Sequence, residues 1–113
     1  MLSFFNIVVL LLSGFATAER ADIPRQTCSL SGTVHIAETP QEADYLVYVQ
    51  DSETAAHLVV FSEENQLMAD QPGLWFFTDK RAFSDFSVYF TPSPKQADFF
   101  IAYTNEPAFA GCR

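Results

Sequence analysis

"QEADYLVYVQDSETAAHLVVF", residues 41–61, holds two small-residue pairs, Ala43-Asp44 and Ala56-His57, 13 residues apart, each leading into an apolar run. The signal recurs at Ala69-Asp70, Ser84-Asp85, Ala97-Asp98 and Ala110-Gly111, so the intervals are 13, 13, 15, 13 and 13. A fixed period means one structural unit used repeatedly, and it is read before any fold is assigned. The longer interval contains Gln71-Pro72-Gly73, a turn-forming insertion that leaves the frame intact on both sides.

Aligning the units on the small residue shows what each position requires. Four residues after it stand Val47, Val60, Trp75 (allowing for the insertion), Val88 and Ile101, with Val34 in the unit before. Tyr45, Phe86 and Phe99 stand two residues before this column, and Val49, Phe77, Phe90 and Tyr103 two residues after it. Alternation with period two marks one face of a strand. The units therefore carry short strands, roughly TVHI, YLVYV, LVVF, LWFF, SVYF and FIAY. Aromatic residues also occupy intervening columns (Tyr48, Phe61, Phe76, Tyr89), which predicts strands covered on both faces for part of their length.

The connectors repeat as well. Thr39, Ser52, Asn65, Lys80, Ser93 and Glu106 share one column, followed by Pro40, Glu53, Gln66, Arg81, Pro94 and Pro107. Ser, Thr or Asn before Pro or an acid is how a helix begins, its side-chain oxygen accepting an orphan amide. Only about one turn fits before the next unit. The fold class is thus mainly β with one-turn helices: a single small domain of six 13-residue strand, bend and helical-turn units. A connector of eight residues is shorter than the crossover a full helix makes between parallel strands. Either a short β-solenoid or a chain wound through itself satisfies that limit, and the rarity of knots favours the solenoid.

The units "QEADYLVYVQDSE" and "KQADFFIAY" resemble the repeating pattern of the septoil knot domain family, over nearly everything from Leu30 to Cys112. That resemblance implies a chain wound into a seven-crossing torus knot and shifts the balance from the solenoid. It implies no activity and supplies no catalytic or binding residue. His57 and Gly111 depart from the pattern by standing where it has Asp, and the insertion after Asp70 has no counterpart in it.

The N-terminus reads as a signal peptide, residues 1–18: an apolar run from Ile7 to Leu12, then Ala16-Thr17-Ala18 as the small-x-small cleavage site after Ala18. The run falls short of the about 20 residues of a membrane span, so an uncleaved anchor is the lesser reading. Residues 19–29 read as a linker and 30–113 as the repeat domain. The expectation is a secreted or periplasmic protein with no membrane span in the mature chain. Cys28 and Cys112 are the two cysteines. An oxidising compartment makes one bridge between them the default, against an intermolecular bridge or a redox thiol, and no Cys-x-x-Cys spacing supports the last.

Fourteen acidic residues against six basic ones give a net charge of −8, which repels phosphate backbones and anionic membranes, so nucleic acid is not an expected partner. Twelve Phe, four Tyr and one Trp argue against a disordered chain. His35 lies in a strand column and His57 at a strand entry, and both read as structural. No zinc spacing, Gly-x-Ser-x-Gly elbow or phosphate-binding Gly loop occurs, so neither an enzyme nor a cofactor is expected.

Asp44, Asp70, Asp85 and Asp98 could form a calcium row if the units stack. The competing reading has each Asp accepting backbone amides where the turn gives way to the strand. Trp75, Lys80 and Arg81, beside the insertion, form the candidate contact surface, although the Val/Ile column also makes Trp75 a core residue. The functional expectation is a structural or protein-interaction domain whose partner is a protein or an envelope component. The alternatives are a module that binds calcium or an envelope glycan, and a small hydrolase, for which the sequence offers no acid pair.

Overall fold

A computed structural model describes residues 23–112. Seven strands follow one another: β1 (Gly32–Ile36), β2 (Tyr45–Val49), β3 (Leu58–Ser62), β4 (Leu74–Thr78), β5 (Phe86–Phe90), β6 (Phe99–Tyr103) and β7 (Gly111–Cys112). Each is preceded by a three-residue 3-10 turn, from Thr27–Ser29 before β1 to Pro107–Phe109 before β7. The expected strands are in place to within a residue at either end.

The strand order is β4-β1-β5-β2-β6-β3-β7, and β3 also pairs with β4. The first six strands therefore close into a parallel barrel, with β7 antiparallel on β3. Strands β1 to β3 make one lap of the barrel and β4 to β6 a second, laid alternately between the first. Consecutive strands β1 and β2 are separated by β5, and β2 and β3 by β6. A solenoid would place consecutive units side by side, so that reading is replaced by a double winding.

Period two sets the interior. The column Val34, Val47, Val60, Trp75, Val88 and Ile101 forms a middle layer in which every residue is 0% exposed. Burying such side chains contributes about 1.5–3 kcal/mol each. Leu58, Phe86 and Phe99 lie in the layer at the strand starts, and Ile23 and Leu30 from the N-terminal segment pack against the core. Trp75 also donates its indole N–H to the Leu30 carbonyl at 3.0 Å, which fixes that segment to the core.

One local expectation is corrected. Of the residues assigned as capping side chains, Asn65 accepts an amide, from Leu67, whereas Thr39, Ser52 and Ser93 make no such bond. Thr78, Thr91 and Thr104, two residues earlier than the cap column, accept from Lys80, Ser93 and Glu106 instead. Each threonine hydroxyl bonds the backbone amide two residues on, an ST turn that bends the chain into the connector.

The insertion has a structural task. β7 and β4 both occupy the edge of β3, β7 at Leu58 and Val59 and β4 at Phe61 and Ser62. Gly73 sits where they converge, with φ +86, and an added Cβ would collide with the Val59 carbonyl oxygen and the Gly111 nitrogen. Cys28 and Cys112 are joined, with Cα atoms 5.3 Å apart. Gly73→Ala is expected to cost about 2–4 kcal/mol, since the backbone strain and the overlap fall on groups that cannot move aside. Urea unfolding of the oxidised protein measures this, and an unchanged midpoint would contradict it.

Candidate functional site

Three of the four recurrent acids, Asp44, Asp85 and Asp98, share one geometry, whereas Asp70, exposed at the start of the insertion, makes no such grip. Asp44 gives its amide to the Ser87 carbonyl and takes the Ser87 amide on Oδ2 at 2.8 Å. Asp85 holds Thr33 in the same two-point grip, and Asp98 holds Leu46. His57 does it with a ring nitrogen: Nδ1 accepts the Phe100 amide at 2.9 Å while its own amide bonds the Phe100 carbonyl. The acids thus act on backbone amides. Among the described residues no three of His, Cys, Asp and Glu are grouped as a metal site requires.

Sequence reasoning missed one pair with a catalytic look. His35 Nδ1 lies 3.0 Å from Ser87 Oγ, joining outward columns of neighbouring strands. Ser87 is 1% exposed, and the Asp44 carboxylate binds its amide rather than the imidazole. The nucleophile position is closed to a substrate, and among the described residues no acid orients the base. Pairing of β1 with β5 creates this contact, so the linear order holds no signal for it.

An open cleft of about 460 Å³ lies between the insertion and the disulfide, bounded by Gln71, Pro72, Pro107 and Cys28. No ionisable side chain lines it. Of the three predicted contact residues, Lys80 and Arg81 are exposed, and Arg81 donates to the Glu42 carbonyl of the adjacent connector. Trp75 is withdrawn from that surface: it is fully buried against Phe77 and Phe86. The proposed cleavage site after Ala18 lies outside the described residues.

The barrel ends differ. Leu30 closes the end at the strand starts, its carbonyl taking the Gly73 amide and the Trp75 indole N–H, and Ile23 packs against the core. At the other end the inward column continues as Ile36, Val49, Ser62, Phe77, Phe90 and Tyr103, and nothing among the described residues covers it. Ile36 is 42% exposed, Val49 38% and Tyr103 44%, against 0% one layer below. Phe77 packs on Phe90 and on Tyr103, with centroids 6.2 and 6.5 Å apart, so the mouth is filled by aromatic rings rather than hollow. Desolvation holds the Tyr103 hydroxyl above its ordinary value of 10, leaving it a proton donor at neutral pH. A second set of exposed apolar residues, Leu67, Met68, Phe83 and Phe109, lies on the connector turns.

Fold and site together define a disulfide-closed, double-wound β-barrel with one uncovered apolar end. The chain belongs to the 7(1) septoil knot domain family, whose model matches residues 27–113. That description states a topology and no activity. No curated protein and no solved structure matches the chain. Among the described residues no helix is long and apolar enough to cross a membrane. The bridge points to an oxidising compartment.

His57 makes one grip sensitive to acid. Burial lowers its affinity for protons below the ordinary value of 6.5, and Nδ1 accepts the Phe100 amide only while unprotonated. The unfolded chain takes up the proton first, so this contribution is whole above pH 6.5 and is lost as pH falls below it. His57→Asp restores the acceptor used in the other units. The stability difference between His57→Asp and the parent is expected to be flat above neutrality and to grow toward pH 5, read from urea unfolding across pH. Parallel profiles would contradict the assignment.

Proposed function

We propose that this protein is a non-enzymatic, extracytoplasmic domain that makes protein contacts through the uncovered mouth of its barrel. The observation that carries the reading is the contrast between the ends: one is closed by the chain's own Leu30, bonded to Gly73 and Trp75, and the other ends in Ile36, Val49 and Tyr103 facing solvent. An apolar layer left open at the end of a packed core fits a contact surface better than a reaction chamber. The mouth has aromatic rings where a substrate would need space.

The non-enzymatic reading is supported by the use made of interior polar groups. Among the described residues, Thr27, Thr33, Ser87 and Thr91 are the buried polar ones, and each has a structural hydrogen-bond partner. Secretion or periplasmic export is supported by the Ile7–Leu12 run with Ala16-Thr17-Ala18 and by the Cys28–Cys112 bridge. The charge of −8 argues against nucleic acid. The calcium alternative loses support because carboxylate oxygens of Asp44, Asp85 and Asp98 are committed to backbone amides.

The test is a photo-crosslinking amino acid placed at Ile36, Val49 or Tyr103, and at Thr54 or Gln96 on the connectors as controls, in the protein's native surroundings. Discrete protein adducts from the mouth positions alone are expected. Equal adducts from both sets, or adducts from the connectors alone, would refute the reading.

A further inference from the structure

The charge around the mouth identifies the chemistry of what docks there, an inference that rests on the contact-surface reading. Counting two residues beyond the mouth column reaches Glu38 on the β1 side, Asp51 after β2, Glu64 after β3 and Asp79 after β4. The equivalent positions after β5 and β6 are Pro92 and Asn105. All four acids are exposed, and the barrel order β4-β1-β5-β2-β6-β3 distributes them around the rim instead of gathering them at one point. The mouth column of Ile36, Val49, Ser62, Phe77, Phe90 and Tyr103 is therefore mainly apolar and is followed by an acid on four of the six strands. Lys80, next to Asp79, is the nearest base in sequence.

We propose that the mouth docks a cationic, apolar-tipped segment of a partner protein: one or two Leu- or Phe-like side chains flanked by Lys or Arg. The apolar tip covers the exposed faces of Ile36, Val49 and Tyr103, and the flanking cations meet the carboxylates of the rim. An uncharged apolar partner would dehydrate four carboxylates without compensation, which is costly. An acidic partner, or an anionic lipid surface, would meet like charge. Complementary charge at a rim acts mainly on encounter and on rejection of wrong partners, whereas the apolar centre supplies the hold.

The probes are short synthetic peptides: acetyl-Lys-Lys-Leu-Phe-Lys-Lys-amide, its counterpart with Gln for each Lys, and a Lys-only peptide. They are titrated into the isotopically labelled, oxidised protein and followed by NMR. The Lys-Leu-Phe peptide is expected to shift Ile36, Val49 and Tyr103, more weakly at about 300 mM salt than at about 50 mM. Combined Glu38→Gln, Asp51→Asn, Glu64→Gln and Asp79→Asn substitution is expected to weaken it by about tenfold. Ile36→Gln is expected to weaken the same peptide while leaving the salt dependence in place.

Equal binding of the Gln and Lys peptides at the mouth, or of the parent and rim-neutral proteins, would overturn the cationic assignment and leave the contact surface standing. Equal binding of the Lys-only peptide would reduce the site to a diffuse charge effect and overturn it too. Shifts confined to Leu67, Phe83 and Phe109 would move docking to the connectors and overturn both readings, as would no shift with any peptide. Mouth shifts that grow with protein concentration alone would make a second copy the occupant and refute the foreign partner.

Discussion

A two-point grip on a single residue organises this fold. Asp44, Asp85, Asp98 and His57 each hold both backbone groups of one residue in a strand from the other lap. The next residue then pairs one step further along that same strand: Tyr45 with Val88 after the grip on Ser87, and Leu58 with Ile101 after Phe100. Phe86 with Val34 and Phe99 with Val47 follow the same rule. The grip therefore sets the register, and a register slip of one residue would turn every inward side chain outward. It also lets short connectors bridge parallel strands, because the residue that ends the connector is already bonded to the strand it crosses.

Closure follows from the winding. The Cys28–Cys112 bridge joins the turn that opens the first lap to the strand that ends the second, with 84 residues of separation. In the chain-entropy account a loop of that size contributes about 4–5 kcal/mol by restricting the unfolded chain. The bridge also turns the open winding into a covalent ring. Gly111 accommodates the exchange from winding to closure. It stands in the column the grip uses elsewhere, has φ +123, and starts the antiparallel strand that delivers Cys112.

Much of this was legible in the sequence, because a 13-residue period repeats the same local demands six times. The strand column, the turns and the preference of Asp for backbone amides are all local or periodic quantities. The partner of each strand is not: Ser87 meets His35 and Asp44 only because the second lap lies between strands of the first. Trp75 was legible as core from its column, and its place beside the insertion wrongly suggested the surface. The two barrel ends read alike, since Phe90 and Tyr103 follow the same alternation as Phe86 and Phe99. What distinguishes them is the closure by Leu30, supplied from before the first strand and bonded to Gly73 and Trp75.

The interleaving of the two laps is the central claim, and backbone NOEs in the labelled, oxidised protein test it most directly. The account predicts cross-strand contacts of His35 with Ser87 and Thr78, and of Tyr48 with Phe100, and none between β1 and β2. Contacts running from β1 to β2 and from β2 to β3 would show consecutive units as neighbours and contradict the double winding.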